Sequence, residues 1–280
     1  MELARRICGC RYAGIKLVEM LPGDRCVDGL ALLEGYLFIL RGNRLTVGIF
    51  PDHPQIEPSS GCLLLHYIVV NQLDKHCWND LASCELSRCL FISDHRHKCV
   101  YKLASPTHRE VSKFADVPHK PHGLSVTRNL TLLLTCRDDH MLMEIGSQSG
   151  MFLRQIPLPS EIDCPYHAVQ LTSDHFVVCY GTTGKCEHGV AVVDSGSGIM
   201  EHSYTQLHYP SHVNVDTNND CVYVSDHYQH RVVKLNMSLE FFGAISVGTK
   251  DWPWRLCLYH EARRLIIGLD KGGVLILELS

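Results

Sequence analysis

Six stretches of the chain place polar side chains at equivalent points of a repeated pattern. Each stretch is marked by an inward-type apolar residue: Leu30, Leu81, Leu124, Val169, Val213 and Leu256. Two positions before these stand Asp28, Asn79, His122, His167, Ser211 and Trp254, and one position before stand Gly29, Asp80, Gly123, Ala168, His212 and Arg255. If the stretches surround a common axis, three imidazoles, two carboxyls and a guanidinium collect at one end of it. Three histidines with an open fourth position suit a divalent ion such as zinc, which activates water or polarises a carbonyl. His122, His167 and His212 are the candidate ligands, with His212 one step out of register. The same residues have a plainer reading, in which they hydrate a channel and satisfy backbone groups. A third use is a binding rim, with Trp254 and Arg255 as anchors, Asp80 and the histidines beside them, and Asp28 and Asn79 completing it.

The elements that must position these residues follow from the spacing. The six markers are separated by 51, 43, 45, 44 and 43 positions, the period of propeller blades and longer than leucine-rich, ankyrin or tetratricopeptide repeats. The runs that recur, such as CLFISD, LLLTC, FVVCY, CVYVSD and LIIGLD, are short, β-branched or aromatic, and bounded by Asp, Asn or Gly. They read as strands joined by tight turns, and no segment shows a capped amphipathic helix of ten or more residues. Continuous apolar runs, in place of apolar and polar alternation, fit sheets buried on both faces.

These features predict an all-β chain, a six-bladed β-propeller of four-stranded antiparallel blades. Repeats begin at Val27, Trp78, Pro121, Tyr166, Pro210 and Pro253. The sixth repeat ends at VLILELS, one strand short, and GIKLVEM (residues 14 to 20) supplies the missing outer strand, so the N-terminal strand closes the ring. Closure removes two exposed sheet edges. The expected division is an N-terminal tail over residues 1 to 13 and one propeller domain over 14 to 280.

Pro210 to Leu235, PSHVNVDTNNDCVYVSDHYQHRVVKL, resembles the NHL repeat, and CLFISDHRHKCVYKL from Cys89 to Leu103 is a second match. PHGLSV, YHAVQLTSDHFVVCYG and PWRLCL extend the resemblance to functionally unsettled animal NHL-like propellers and to the propeller module of tripartite-motif proteins. It implies a partner-recognition module, as in ubiquitin-ligase-type pathways, with no RING, B-box or coiled-coil segment here. Peptide-amidating lyase propellers, which the NHL fold resembles, hold a metal on channel histidines, which implies the metal-dependent lyase or hydrolase alternative. Some NHL propellers read RNA, the second alternative. Asp94 and Asp226 match the recurrent NHL aspartate and are expected to accept backbone N–H groups of the following hairpin.

Composition narrows the classes. With 45% apolar and 20% charged residues the chain buries a large core. The net charge of −4, from 26 basic and 30 acidic residues spread along the chain, offers no field for nucleic acid or anionic lipid. There is no G-x-S-x-G nucleophile elbow, and DSGSG (Asp194 to Gly198) lacks the following Lys of a phosphate loop, so it reads as a turn. His95 and His97 are alternate histidines on a hairpin tip. Fourteen scattered cysteines without a zinc-ribbon pair, and no signal-like or membrane-spanning apolar run, point to free thiols and a cytoplasmic location. The expected function is non-catalytic recognition of a protein or peptide through the loop face and channel mouth, without a cofactor unless zinc is bound.

Overall fold

A computed structural model describes residues 23, 25–49, 68–71, 73, 79–104, 110–181, 187–248 and 251–279, and the backbone of 15–21 and 63–67. The expected tail and Trp78 lie outside the described residues. Among the described residues, twenty-four strands form six four-stranded antiparallel sheets. Blade one holds β2 (Gly29–Leu33), β3 (Tyr36–Arg41), β4 (Arg44–Ile49) and β5 (Leu63–Val69). Blade two holds β6 (Asn79–Cys84), β7 (Cys89–Asp94), β8 (Cys99–Leu103) and β9 (Val111–Asp116). Blades three, four and five repeat this order, with innermost strands β10 (Gly123–Val126), β14 (Pro165–Gln170) and β18 (Pro210–Asp216). Blade six is built from β22 (Pro253–Tyr259), β23 (Arg264–Leu269), β24 (Val274–Leu279) and, outermost, β1 (Ile15–Leu21). The six innermost strands contact one another in cyclic order, with β22 returning to β2. The architecture is a six-bladed β-propeller.

Strand alternation explains the sequence pattern. On β7, Leu90 and Ile92 pack into an apolar cluster shared with blade one, whereas Cys89 and Phe91 pack into one shared with blade three. Both faces of the sheet are therefore interior, and period-two alternation sorts residues between neighbours instead of between core and water. The same holds around the ring, where six apolar clusters each lie between two successive blades. The outer strands reach solvent and carry exposed Phe152, Leu153, Phe241 and Phe242.

Closure follows the expected route. β1 runs antiparallel to β24, from Ile15 opposite Leu279 to Leu21 opposite Val274, with a bulge between Leu17 and Glu19. The ring is thus fastened by hydrogen bonds between the two ends of the chain, in addition to side-chain packing. Among the described residues no helix is long and apolar enough to cross a membrane.

Removing residues 1–21 should expose the β24 edge and loosen blade six. A loss of about 3 kcal/mol or more is expected, equivalent to roughly 6–12 °C in melting temperature. Thermal unfolding with parallel light scattering tests this, and an unchanged melting curve would show that β1 does not close the ring.

Candidate functional site

The start of every innermost strand is set by its pairing with the fifth residue of the next strand. Gly29 faces Leu40, Asp80 faces Ser93, Gly123 faces Thr135, His167 faces Cys179, His212 faces Ser225 and Arg255 faces Gly268. These six residues form one layer across the axis. Bulges after Pro165, Pro210 and Pro253 set the register of blades four to six. In blade four the bulge puts His167, not Ala168, into this layer. The expected register is corrected accordingly: His167 and His212 are in step, and His122 belongs to the layer above with Asp28, Asn79, Ser211 and Trp254. The bulged carbonyls are taken up locally, since the Cys179 thiol donates to the His167 carbonyl at 3.3 Å and the Ser225 hydroxyl to the His212 carbonyl at 3.2 Å.

Glycine at two of the six positions lets the inner strands close up. A Cβ on Gly29 would lie 2.6 Å from Leu81 Cβ, and one on Gly123 would lie 2.6 Å from the Tyr166 carbonyl oxygen. Asp80, His167, His212 and Arg255 fill the space that remains. Asp80 Oδ1 accepts the Leu81 N–H at 2.9 Å, Oδ2 accepts the Leu124 N–H at 3.0 Å, and Arg255 Nε lies 3.4 Å from Oδ1. Arg255 also donates to the Asp28 carbonyl and, at 3.3 Å, to the Asn79 carbonyl. One guanidinium of blade six therefore holds the strand starts of blades one and two. His167 Nε2 lies 3.6 Å from Asp80 Oδ2 and 3.3 Å from the Leu124 carbonyl, which assigns the proton to Nε2. The His167 and His212 rings stack at 3.7 Å between centroids, tilted by 21°.

Asp80, His167 and His212 each bring a ligand atom within 4.8 Å of the others. A metal must sit in the plane of each imidazole that binds it, and two nearly parallel rings cannot point their lone pairs at one centre. Arg255 already places a positive charge against the Asp80 carboxyl. The arrangement as it stands does not fit a metal. His122, the third expected ligand, packs edge-on against His95 at 5.3 Å and Tyr166 at 5.2 Å. His97 turns to Asp94, its Nδ1 2.8 Å from Oδ2, so the alternate histidines of that hairpin point apart.

The expected rim is closed at this upper end, where the inner strands begin. Asn79, Asp80, His122, His167, His212, Trp254 and Arg255 are all buried, and Asp28 is half-buried with Oδ2 accepting the Gly42 N–H at 2.5 Å. Above them lies an aromatic layer. Tyr166 and Tyr209 share a hydrogen bond between hydroxyls, and His227 sits 4.9 to 5.5 Å from the rings of Tyr209, Tyr228, Trp252 and Trp254. A ring of polar residues sealed by aromatics cannot serve as an open mouth.

The axis opens at the other end. A cavity of about 830 Å³ runs from His167 and His212 at its floor, past Leu30, Leu81, Leu124 and Leu256, to Glu34, Glu85 and Glu261 in the turns that follow β2, β6 and β22. This mouth was not anticipated from sequence. Its signal was present, because Glu34 and Glu85 both stand four positions after their repeat marker and Glu261 five after its own.

Of the NHL-type aspartates, Asp94 accepts the His97 N–H at 2.9 Å, as a hairpin aspartate should. Asp226 instead accepts the His208 N–H at 2.6 Å and pairs with Arg231 at 2.7 Å, tying the preceding inter-blade connection to its own blade. In DSGSG, Asp194 Oδ1 accepts both the N–H and the hydroxyl of Ser197, the expected turn.

No protein-family model matches the sequence, and no curated protein matches it. Among solved structures, the chain is similar to the WD40 β-propeller domain of Doa1, with 11% identity over 96% of this chain and 98% of that one and a TM-score of 0.66. It is similar also to Kuenenia stuttgartiensis hydrazine synthase, at 11% identity, with 91% and 95% covered and a TM-score of 0.64. The shared property is the fold. Likeness at this identity carries the β-propeller and leaves the NHL resemblance resting on the sequence motifs.

Two measurements probe the axial layer. Arg255→Met leaves the Asp80 carboxyl without its cation and should cost about 3–5 kcal/mol in urea unfolding, whereas Asp80→Leu/Arg255→Met should recover part of that loss. Equal or additive losses would show that the two groups are not coupled. The second concerns pH. Burial holds His122 and His212 well below the usual imidazole range and lowers His227 to about 4. The unfolded chain therefore takes up these protons first, and stability should fall as pH drops below about 6.5. Asp28, raised by burial to about 6, acts oppositely, since its contribution is present below 3.8 and lost as pH rises through 6. Urea midpoints should be flat between about pH 7.5 and 8, fall toward pH 5, and fall less steeply in His212→Gln. An identical slope in the variant would remove His212 from the account.

Proposed function

We propose that this propeller is a non-catalytic recognition module that takes a short segment of a partner protein into the open, lower end of its central cavity. The observation that supports it is the contrast between the two ends of the axis. At the upper end Asp80 and Arg255 are bound to each other and to strand backbone, and aromatic side chains cover the layer. At the lower end a cavity of about 830 Å³, lined by both apolar and polar side chains and within the usual size of ligand sites, is open. A rigid ring suits this task, because a preformed pocket spends little ordering entropy on binding. The aspartate and arginine of the layer are committed to holding strands, and the His167 and His212 imidazoles stack on each other. An RNA surface is not favoured at this mouth, since glutamates face the phosphate backbone there. The fold does not choose among functions by itself.

A peptide library of random charge, displayed on phage and selected on the purified chain, tests the reading. Asn214 lines the cavity, and Asn214→Trp obstructs it with a large side chain. Selection should enrich binders on the wild-type chain and retain at least about tenfold fewer on the filled variant, with the variant's melting curve confirming its fold. No enrichment, or equal retention on both, would refute recognition through the cavity.

A further inference from the structure

Three carboxyls stand on one side of the cavity mouth, supplied by the adjacent blades six, one and two. Glu34 pairs with Arg88, Glu85 accepts the Glu34 N–H with both carboxyl oxygens at 3.3 and 3.4 Å, and Glu261 is exposed, without a hydrogen bond or ion pair among the described residues. The described residues that line the cavity include neither Lys nor Arg. Burial first, and then the neighbouring carboxyls of Glu34 and Glu261, raise the Glu85 carboxyl above its ordinary value. A cation entering the mouth relieves that repulsion.

The floor supplies a second and independent indication. His212 lines the cavity, is only 6% exposed, and its Nδ1 has no hydrogen-bond partner, as is true of Nδ1 of its neighbour His167. Burial disfavours protonation of both imidazoles, so the floor sets no positive charge against an incoming cation. Between floor and mouth the walls combine Leu30, Leu81, Leu124 and Leu256 with the polar Ser125 and Asn214, so they can take both a methylene stem and peptide groups.

We infer that the cavity is selective for a basic peptide segment, whose Arg or Lys ammonium or guanidinium meets Glu34, Glu85 and Glu261 while its stem and backbone fill the cavity down to His212. The inference rests on the recognition reading above and specifies its partner. Guanidinium on carboxylates at the mouth is the strong, charge-assisted contact. The leucines of the wall select against a fully hydrated polycation.

The test uses fluorescently labelled Gly-Leu-Arg-Leu-Arg-Gly and Gly-Leu-Glu-Leu-Glu-Gly, with agmatine as an unlabelled competitor, on the full chain by fluorescence polarisation. The arginine peptide should bind, the glutamate peptide should not, and raising salt from about 50 to about 300 mM should weaken binding. The Glu34→Gln/Glu85→Gln/Glu261→Gln variant, which removes the charge and keeps one acceptor oxygen on each side chain, should lose at least about tenfold in affinity at an unchanged melting temperature. Agmatine should compete only at much higher concentration than the peptide; competition at equal concentration would overturn the peptide source in favour of a free amine. Equal binding of the two peptides, or no effect of the triple variant, would overturn the charge selectivity and leave recognition standing. If neither peptide binds, the charge-blind library separates the cases: binders without basic residues sink this inference alone, and no binders sink both.

Discussion

The structure depends on closing a ring of sheets that have no solvent face. Each blade presents two apolar surfaces, so no blade is stable until both neighbours are in place, and the sixth must meet the first. Two polar devices complete what packing begins. At the rim, β1 adds its backbone to β24 and ties the ends of the chain together. At the axis, Arg255 reaches from blade six to the Asp28 and Asn79 carbonyls and to the Asp80 carboxyl, so one side chain spans the seam where the ring meets itself. That guanidinium would be costly to bury alone; three acceptors from two blades compensate it.

The need to close the axis also separates structure from recognition. Glycines at Gly29 and Gly123 bring inner strands together, and the four larger residues of the same layer plug the opening they leave. The plug consumes the residues whose chemistry is most eye-catching in the sequence. The recognition proposed above would fall to the turns at the other end, where backbone pairing makes few demands on side-chain identity and glutamates can stand without harming the blades.

Much of this was legible beforehand. The repeat spacing fixed six blades, the run composition fixed strands, and the missing strand of blade six pointed to GIKLVEM, which pairs as expected apart from one residue at its boundaries. What could not be read was the phase of each repeat at its first residues. A bulge adds a residue without changing the apolar pattern that follows, so Val169 looked equivalent to Val213 although Ala168 is its structural counterpart. His167 was therefore assigned to the wrong layer, and a convergence of three histidines was expected where two stack. Burial was equally hidden, because nothing in the spacing tells which end of a channel the aromatic residues of later connections, such as Tyr209 and Trp252, will cover.

The seams between blades also carry sulfur. Cys99, Cys179, Cys257 and Cys221 lie in four of the six inter-blade clusters, and Cys84, Cys89 and Cys136 share a fifth. Burial pushes the Cys136, Cys179 and Cys257 thiols up to about 12, so they stay protonated and sheltered while the ring is shut. Their nucleophilicity is governed by blade separation rather than by the surrounding redox poise. Each of these seams thus contains a latent chemical reporter, silent in the closed ring and reactive wherever two blades come apart.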